Sequence, residues 1–238
     1  GSIKTTAAPG GFTTLESKYF DGQQKSVTGT AVIPEYYDYG VENDGSVWKK
    51  TSLGSSNSPR YVKTWTNSLG NPVKEEKPGY NGIVTTRYYY NNKAQLVKIS
   101  TTGKADLLYV YNELGERIRS GFDVNSNGNL DLASMDRISD QESVFAKEAN
   151  AWWQIATSKT YAQDNADSAT VSRIEKRRLS GFAAGQISES VSVDINGNQT
   201  VSKSSIDRAA KTMTQTVNTP DSDVDSESIS LNGLLISR

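Results

Sequence analysis

At 238 residues the chain is long enough to bury a substantial core, as one large β domain or two small ones. Lys and Arg number 26 against 27 Asp and Glu, a net charge of -1, so no electrostatic surplus draws the chain to nucleic acid or to an anionic membrane. The absence of Cys and His excludes disulfides, thiol nucleophiles, a Ser-His-Asp triad and metal ligation by either residue.

Hydrophobic residues make up 35% of the chain, which is low, but 12 Tyr and 4 Trp argue against disorder. Short strands separated by many turns fit this composition. No run approaches the roughly 18 apolar residues that span a bilayer, and the first residues lack the apolar core of a signal peptide. Gly1-Ser2 reads as a cloning remnant, so the chain is expected to be a piece of a longer parent.

In chain order, residues 1–30 mix Gly, Thr and Ser with short apolar pieces at Phe12 and Tyr19-Phe20, and read as an edge segment or an incoming connection. Residues 31–238 read as one β domain of runs of roughly five to eight residues bounded by Asn, Asp, Gly or Pro. The clearest hairpin joins Leu107-Leu-Tyr-Val-Tyr111 to Glu116-Arg-Ile-Arg-Ser120 through Asn112-Glu-Leu-Gly115. Asn112 can bond its own backbone two residues on, and Gly115 can adopt a positive φ, as such a turn requires. A second copy runs from Arg87 to Ile99, with Asn91 lying 21 residues before Asn112, and a third from Thr64 to Val73, with Asn67 another 24 residues back.

A period in the low twenties is the mark of a repeat architecture, in which each unit buries its apolar face only against its neighbours. The pattern of aromatic, polar, aromatic, Asn, three residues, then Leu or Ile resembles the tyrosine/aspartate (YD) repeat of RHS proteins, where Tyr-Asp opens a turn that ends in Gly-Arg. Here Asn replaces Asp at 67, 91 and 112, and Gly115-Glu116 replaces Gly-Arg. The resemblance covers residues 60–138 well and 170–238 loosely. It implies an all-β fold of antiparallel hairpin repeats forming a continuous twisted or spiralling sheet. It also implies a non-catalytic shell, stalk or adhesive surface of a large secreted or cell-surface protein, whose partners are neighbouring repeats, glycans or an enclosed cargo.

Further along, residues 140–150 have helical character through the spacing of Val144 and Lys147-Glu148, whereas Ala151 to Tyr161 and Ser168 to Arg178 read as strands. Arg173, Lys176, Arg177 and Arg178 form the one basic cluster; a solvated strand face and an anion or partner site are the two readings. Asp194-Ile-Asn196-Gly197-Asn198 reads as a turn, the acidic run 221–227 as a solvated loop, and Ser230 to Ser237 as the second half of a further repeat.

Three constellations carry possible chemistry. Asp123-Val-Asn125-Ser-Asn127-Gly128-Asn-Leu-Asp131 matches the first nine positions of a calcium loop, with oxygen ligands at Asp123, Asn125, Asn127 and Asp131 and Gly at the sharp turn. The twelfth position is Ser134 instead of Glu, and Asp136 could take that role only in a loop of different shape. A weak Ca²⁺ site and an ion-free turn capped by its own side chains are both open. The rings of Trp65, Tyr88, Tyr90, Tyr109, Tyr111, Trp152 and Trp153 would serve as a carbohydrate platform if exposed in one plane; their regular spacing equally fits cross-strand packing between repeats. Glu75-Glu76, or Glu113 with Glu116, would serve a polysaccharide-cleaving enzyme only if two carboxylates faced each other across a cleft.

Overall fold

The computed structural model describes residues 1–30, 32–162, 164–165, 167–220 and 226–237. Among these residues every regular element is a strand, and no helix is long and apolar enough to cross a membrane. The chain divides into two compact units, residues 1–107 and 108–238.

The first unit is a meander of β1 (Ile3–Ala7), β2 (Thr13–Lys18), β3 (Gln24–Gly29), β4 (Glu35–Val41), β5 (Val47–Leu53), β6 (Tyr61–Thr66), β7 (Pro72–Gly79), β8 (Gly82–Tyr90) and β9 (Leu96–Thr101). Each strand pairs antiparallel with the next. The division falls within β10 (Asp106–Tyr111). The second unit continues with β11 (Arg117–Asp123), β12 (Arg137–Glu148), β13 (Ala151–Tyr161), β14 (Thr170–Arg178), β15 (Gln186–Val193), β16 (Gln199–Asp207), β17 (Thr212–Asn218), β18 (Ser226–Leu231) and β19 (Leu234–Ser237), again each antiparallel to the next from β11 on. The fold is thus all-β and built of antiparallel hairpins. Residues 1–30 contain three of the strands, and the acidic run enters the described residues only at Ser226-Glu227, which open β18, since 221–225 lie outside them.

One turn recurs. At Glu42, Asn67, Asn91, Asn112 and Asp194, the first residue donates its N–H to the carbonyl of the fifth (2.8–3.0 Å), and the fourth donates back to the carbonyl of the first (2.9–3.1 Å). Tyr19 to Gln23 closes the same way. The fourth residue has a positive φ, and it is Gly at 22, 45, 70, 115 and 197, where a left-handed backbone carries no Cβ penalty. The Asx side chain completes the turn from inside. Asn67 Oδ1 accepts from Leu69 and Asn71, Asn91 Oδ1 from Lys93 and Gln95, and Asp194 Oδ1 from Asn196 and Asn198, each N–H at 2.8–3.0 Å.

The helical character expected of residues 140–150 gives way to a strand. β12 pairs residue by residue with β13, from Ile138 opposite Tyr161 to Glu148 opposite Ala151. That ladder satisfies the backbone across the whole segment, and a local preference of a few tenths of a kcal/mol per residue cannot compete with it. The two are joined by Ala149-Asn150, with Ala149 at φ 50°.

Burial is sparse. Among the described residues the buried apolar side chains are Trp65 in the first unit and Leu108, Ile138, Ala151, Trp153, Tyr161 and Val191 in the second. Ala151, Trp153 and Val191 form one cluster with Ile155, Val193 and Val201 packed against it. Strand alternation sends these residues to one face of β13, β15 and β16, while the opposite face carries Gln154, Ser190 and Ser202 together with Ala156 and the exposed Trp152.

Candidate functional site

The loop from Asp123 to Asp136 joins β11 to β12 and is organised by two buried carboxylates. Asp123 is 1% exposed and Asp136 2%. Asp123 Oδ1 accepts from Asn127 N–H at 3.1 Å and its Oδ2 from Gly128 N–H at 2.8 Å. Asp136 reaches back across the loop, taking Val124 N–H at 2.8 Å and Asp131 N–H at 2.9 Å. Burial pushes the Asp136 carboxyl up, but the N–H groups of Asp131 and Val124 outweigh it and hold the group below the ordinary carboxylate range.

The remaining expected ligands are hydrogen-bonded within the loop. Asn125 Oδ1 accepts from Asn127 N–H, Asn127 Oδ1 accepts from Asn129 N–H, and Asn127 Nδ2 donates to Asp131 Oδ2 at 2.6 Å. Among the described residues, no three His, Cys, Asp or Glu side chains are grouped so as to hold a metal ion.

The seven rings differ in burial and in the contacts they make. Trp65 on β6 is 4% exposed and lies opposite Trp48 on β5; its indole N–H donates to Glu42 Oε1 at 2.9 Å. The Lys74 and Lys63 ammonium groups sit 3.7 and 4.4 Å from its ring centre, and Lys63 is 4.0 Å from that of Trp48. Lysines and indoles therefore interleave across β5, β6 and β7 as cation–π contacts. Trp48 also covers Gly40, directly opposite on β4, where a Cβ would meet the indole at 2.5 Å.

Tyr88 and Tyr90 leave β8 on the face opposite to that of Trp65, Lys74 and Arg87. Both are half-buried, burial raises both phenols, and Tyr90 Oη donates to the Pro72 carbonyl at 2.8 Å. Tyr109 and Tyr111 are half-buried, with the Arg117 guanidinium 5.4 Å from the Tyr109 ring. Trp153 is buried under Arg178, whereas its neighbour Trp152 is 48% exposed. A platform of exposed rings would have to do without Trp65 and Trp153.

The carboxylates singled out in the sequence make local bonds. Glu75 and Glu76 are adjacent on β7, point to opposite faces, and bind Lys77 and Lys74 respectively. Glu116 is held by Asn112 Nδ2 at 2.8 Å. Among the described residues, Asp44, Asp106, Asp136 and Glu189 are held below the ordinary carboxylate range.

The basic cluster divides by strand alternation. On one face of β14, Lys176 bonds Glu148 at 2.8 Å and Arg178 bonds Glu189 at 2.5 Å. On the other, Arg173 pairs with Glu175 at 2.6 Å, and Arg177 makes no ion pair among the described residues. Arg177 lines a concavity of ≈ 820 Å³ together with Arg173, Glu175, Leu179, Phe182 and Ile187 and with the short side chains of Ser190 and Ser202. Neither the interleaved lysines nor this concavity is visible in the sequence until the strands are paired; the readable trace is aromatic and basic residues two apart on consecutive strands.

No family model matches the chain, and no curated protein matches it. Among solved structures, it aligns with a chain of the crystal structure of TcdB2-TccC3-Cdc42 at TM-score 0.38 and 11% identity, over 94% of this chain and 15% of that one. A chain of the crystal structure of TcdB2-TccC3-TEV aligns at TM-score 0.37 and 9% identity, over 94% of this chain and 17% of that one. The chain therefore spans less than a fifth of the length of either.

Proposed function

We propose that residues 1–238 are a non-catalytic structural and interaction segment of a larger, secreted or cell-surface RHS-like protein, whose partners include neighbouring repeats of the same parent. The observation that carries this reading is the recurrence of one five-residue turn at 19, 42, 67, 91, 112 and 194 in hairpins that bury few side chains of their own. A wall built from such hairpins gains its stability from the units on either side. The spacing of 23, 25, 24 and 21 residues between the first five turns supports it, as does Asp194, which restores the acidic residue of the YD pattern.

Hydrogen exchange read by mass spectrometry tests the repeat architecture. Protection is expected to vary hairpin by hairpin, with neighbouring hairpins opening at different free energies. A single protection level over all hairpins of a unit would instead describe a closed globular domain and remove the reading. Catalysis is tested separately by incubating the chain with soluble polysaccharides and measuring new reducing ends; turnover abolished by one carboxylate substitution would overturn the non-catalytic role.

A further inference from the structure

Asparagine followed by glycine occurs at 81–82, 127–128, 196–197 and 232–233. This pair is prone to lose the side-chain amide, because glycine has no Cβ to keep its backbone nitrogen away from the Cγ of the asparagine before it. All eight residues are exposed, so solvent access does not rank the four sites. The bonding of each glycine N–H does. Gly128 N–H is held by Oδ2 of the buried Asp123 at 2.8 Å, and the Asn127 carboxamide is held at both atoms, Nδ2 donating to Asp131 at 2.6 Å and Oδ1 accepting from Asn129 N–H at 2.8 Å. Gly197 N–H donates to the Asp194 carbonyl at 3.1 Å, and Gly82 closes the β7–β8 ladder opposite Gly79. Gly233 N–H has no acceptor among the described residues, since the β18–β19 ladder resumes only with Leu234 opposite Leu231. Asn232 and Gly233 have φ of 51° and 83°, as a two-residue turn with both centres left-handed requires, and a Cβ built on Gly233 meets nothing within 4 Å.

We propose that Asn232 is a modification site, where the folded chain converts an amide to an acid, and that Asp123 guards Asn127 against the same reaction. The Gly233 nitrogen, giving up its proton, attacks Asn232 Cγ. The new C–N bond closes a succinimide as the Cγ–Nδ2 bond breaks, and the side-chain nitrogen leaves as ammonia. Water then opens the ring at either carbonyl, leaving aspartate or isoaspartate. At Asn127 the attacking N–H must first leave a charged acceptor, which slows the reaction about tenfold or more. The guard gives the buried Asp123 carboxylate a consequence beyond the shape of its loop, and it does not depend on the segment's place in a larger parent.

The test incubates the intact 238-residue chain at mildly alkaline pH, with and without denaturing urea, and follows each of the four asparagines by peptide mapping and mass spectrometry. In buffer, Asn232 is expected to convert about tenfold or more faster than Asn127, and ahead of Asn81 and Asn196; in urea the four rates are expected to converge. Any of the other three matching or outrunning Asn232 in buffer overturns the site, and so does an unchanged ranking in urea, which would trace the order to sequence neighbours instead of the fold. Asp123→Ala is expected to speed Asn127 about tenfold while Asn196, in the same unit, keeps its parent rate. Asp131→Ala, which frees only the Asn127 Nδ2, is expected to leave Asn127 slow. Protection that survives Asp123→Ala, release by Asp131→Ala, or acceleration of Asn196 together with Asn127 overturns the guard.

Discussion

Ala94 occupies the left-handed fourth position of its turn at φ 58°, where the five companion turns have glycine. The Cβ penalty there exceeds the entropy glycine adds to the unfolded chain, so Ala94→Gly is expected to stabilise the protein by about 0.5–1 kcal/mol, read as a rise of about 1–4 °C in melting temperature. The first and fifth residues of these turns are matched as well. Asn91 Nδ2 donates to Gln95 Oε1, Asn112 Nδ2 to Glu116 Oε2, and Asn198 Nδ2 to Asp194 Oδ2. An amide therefore faces an acid or another amide each time, which explains why Asn112 stands where the YD pattern has Asp: its partner is Glu116 and not Arg. Asn112→Asp alone should cost about 1 kcal/mol by setting two carboxylates together, and Glu116→Arg in the same chain should recover about half or more of it. Urea melts of the four-variant cycle measure this coupling, and additive effects would show that the two positions are independent.

At the level of elements, the strands were legible wherever polar and apolar residues alternate between turn residues, as from Leu107 to Ser120. They were illegible where a strand's partner decides the outcome, as in β12, whose Val144 to Glu148 stretch has helical spacing but pairs along its length with β13. The loop after β11 was legible as a site of clustered oxygen atoms. Its dependence on Asp136 was not, because the contact crosses twelve residues to Val124 and forms only in the folded chain. Asp136→Ala leaves the buried N–H groups of Val124 and Asp131 without acceptors and should cost about 2–4 kcal/mol, measurable as a lowered urea midpoint. Asp131→Ala removes only an exposed side-chain bond from Asn127 and should cost less than half as much. The seven rings were recognisable as a repeated feature, yet burial of Trp65 and exposure of Trp152 follow from cross-strand neighbours that sequence spacing does not specify.

For the molecule as a whole, stability depends on pH through three carboxyl groups. Asp106, Asp136 and Glu189 are held below their ordinary values because hydrogen bonds and, at Asp106 and Glu189, cationic partners outweigh burial. A carboxyl group with a depressed folded-state pKa contributes stability at pH values above its unfolded pKa, and that contribution is lost as the pH falls through the folded value. Thermal stability should accordingly decline as the pH drops below about 4.5, the ordinary value for Glu, and keep declining below 3.8, the ordinary value for Asp. Replacing Glu189 with Gln should flatten the upper part of that decline, as followed by circular dichroism across a pH series. The hairpin-to-hairpin pairing also governs how the chain is made. The early turns lie 21–25 residues apart, so at about 5–20 residues per second a new hairpin leaves the ribosome every few seconds. A hairpin closes in about 1–10 μs, and its partner strand is the one synthesised just before it. Within each unit, the order of translation is then also the order of assembly.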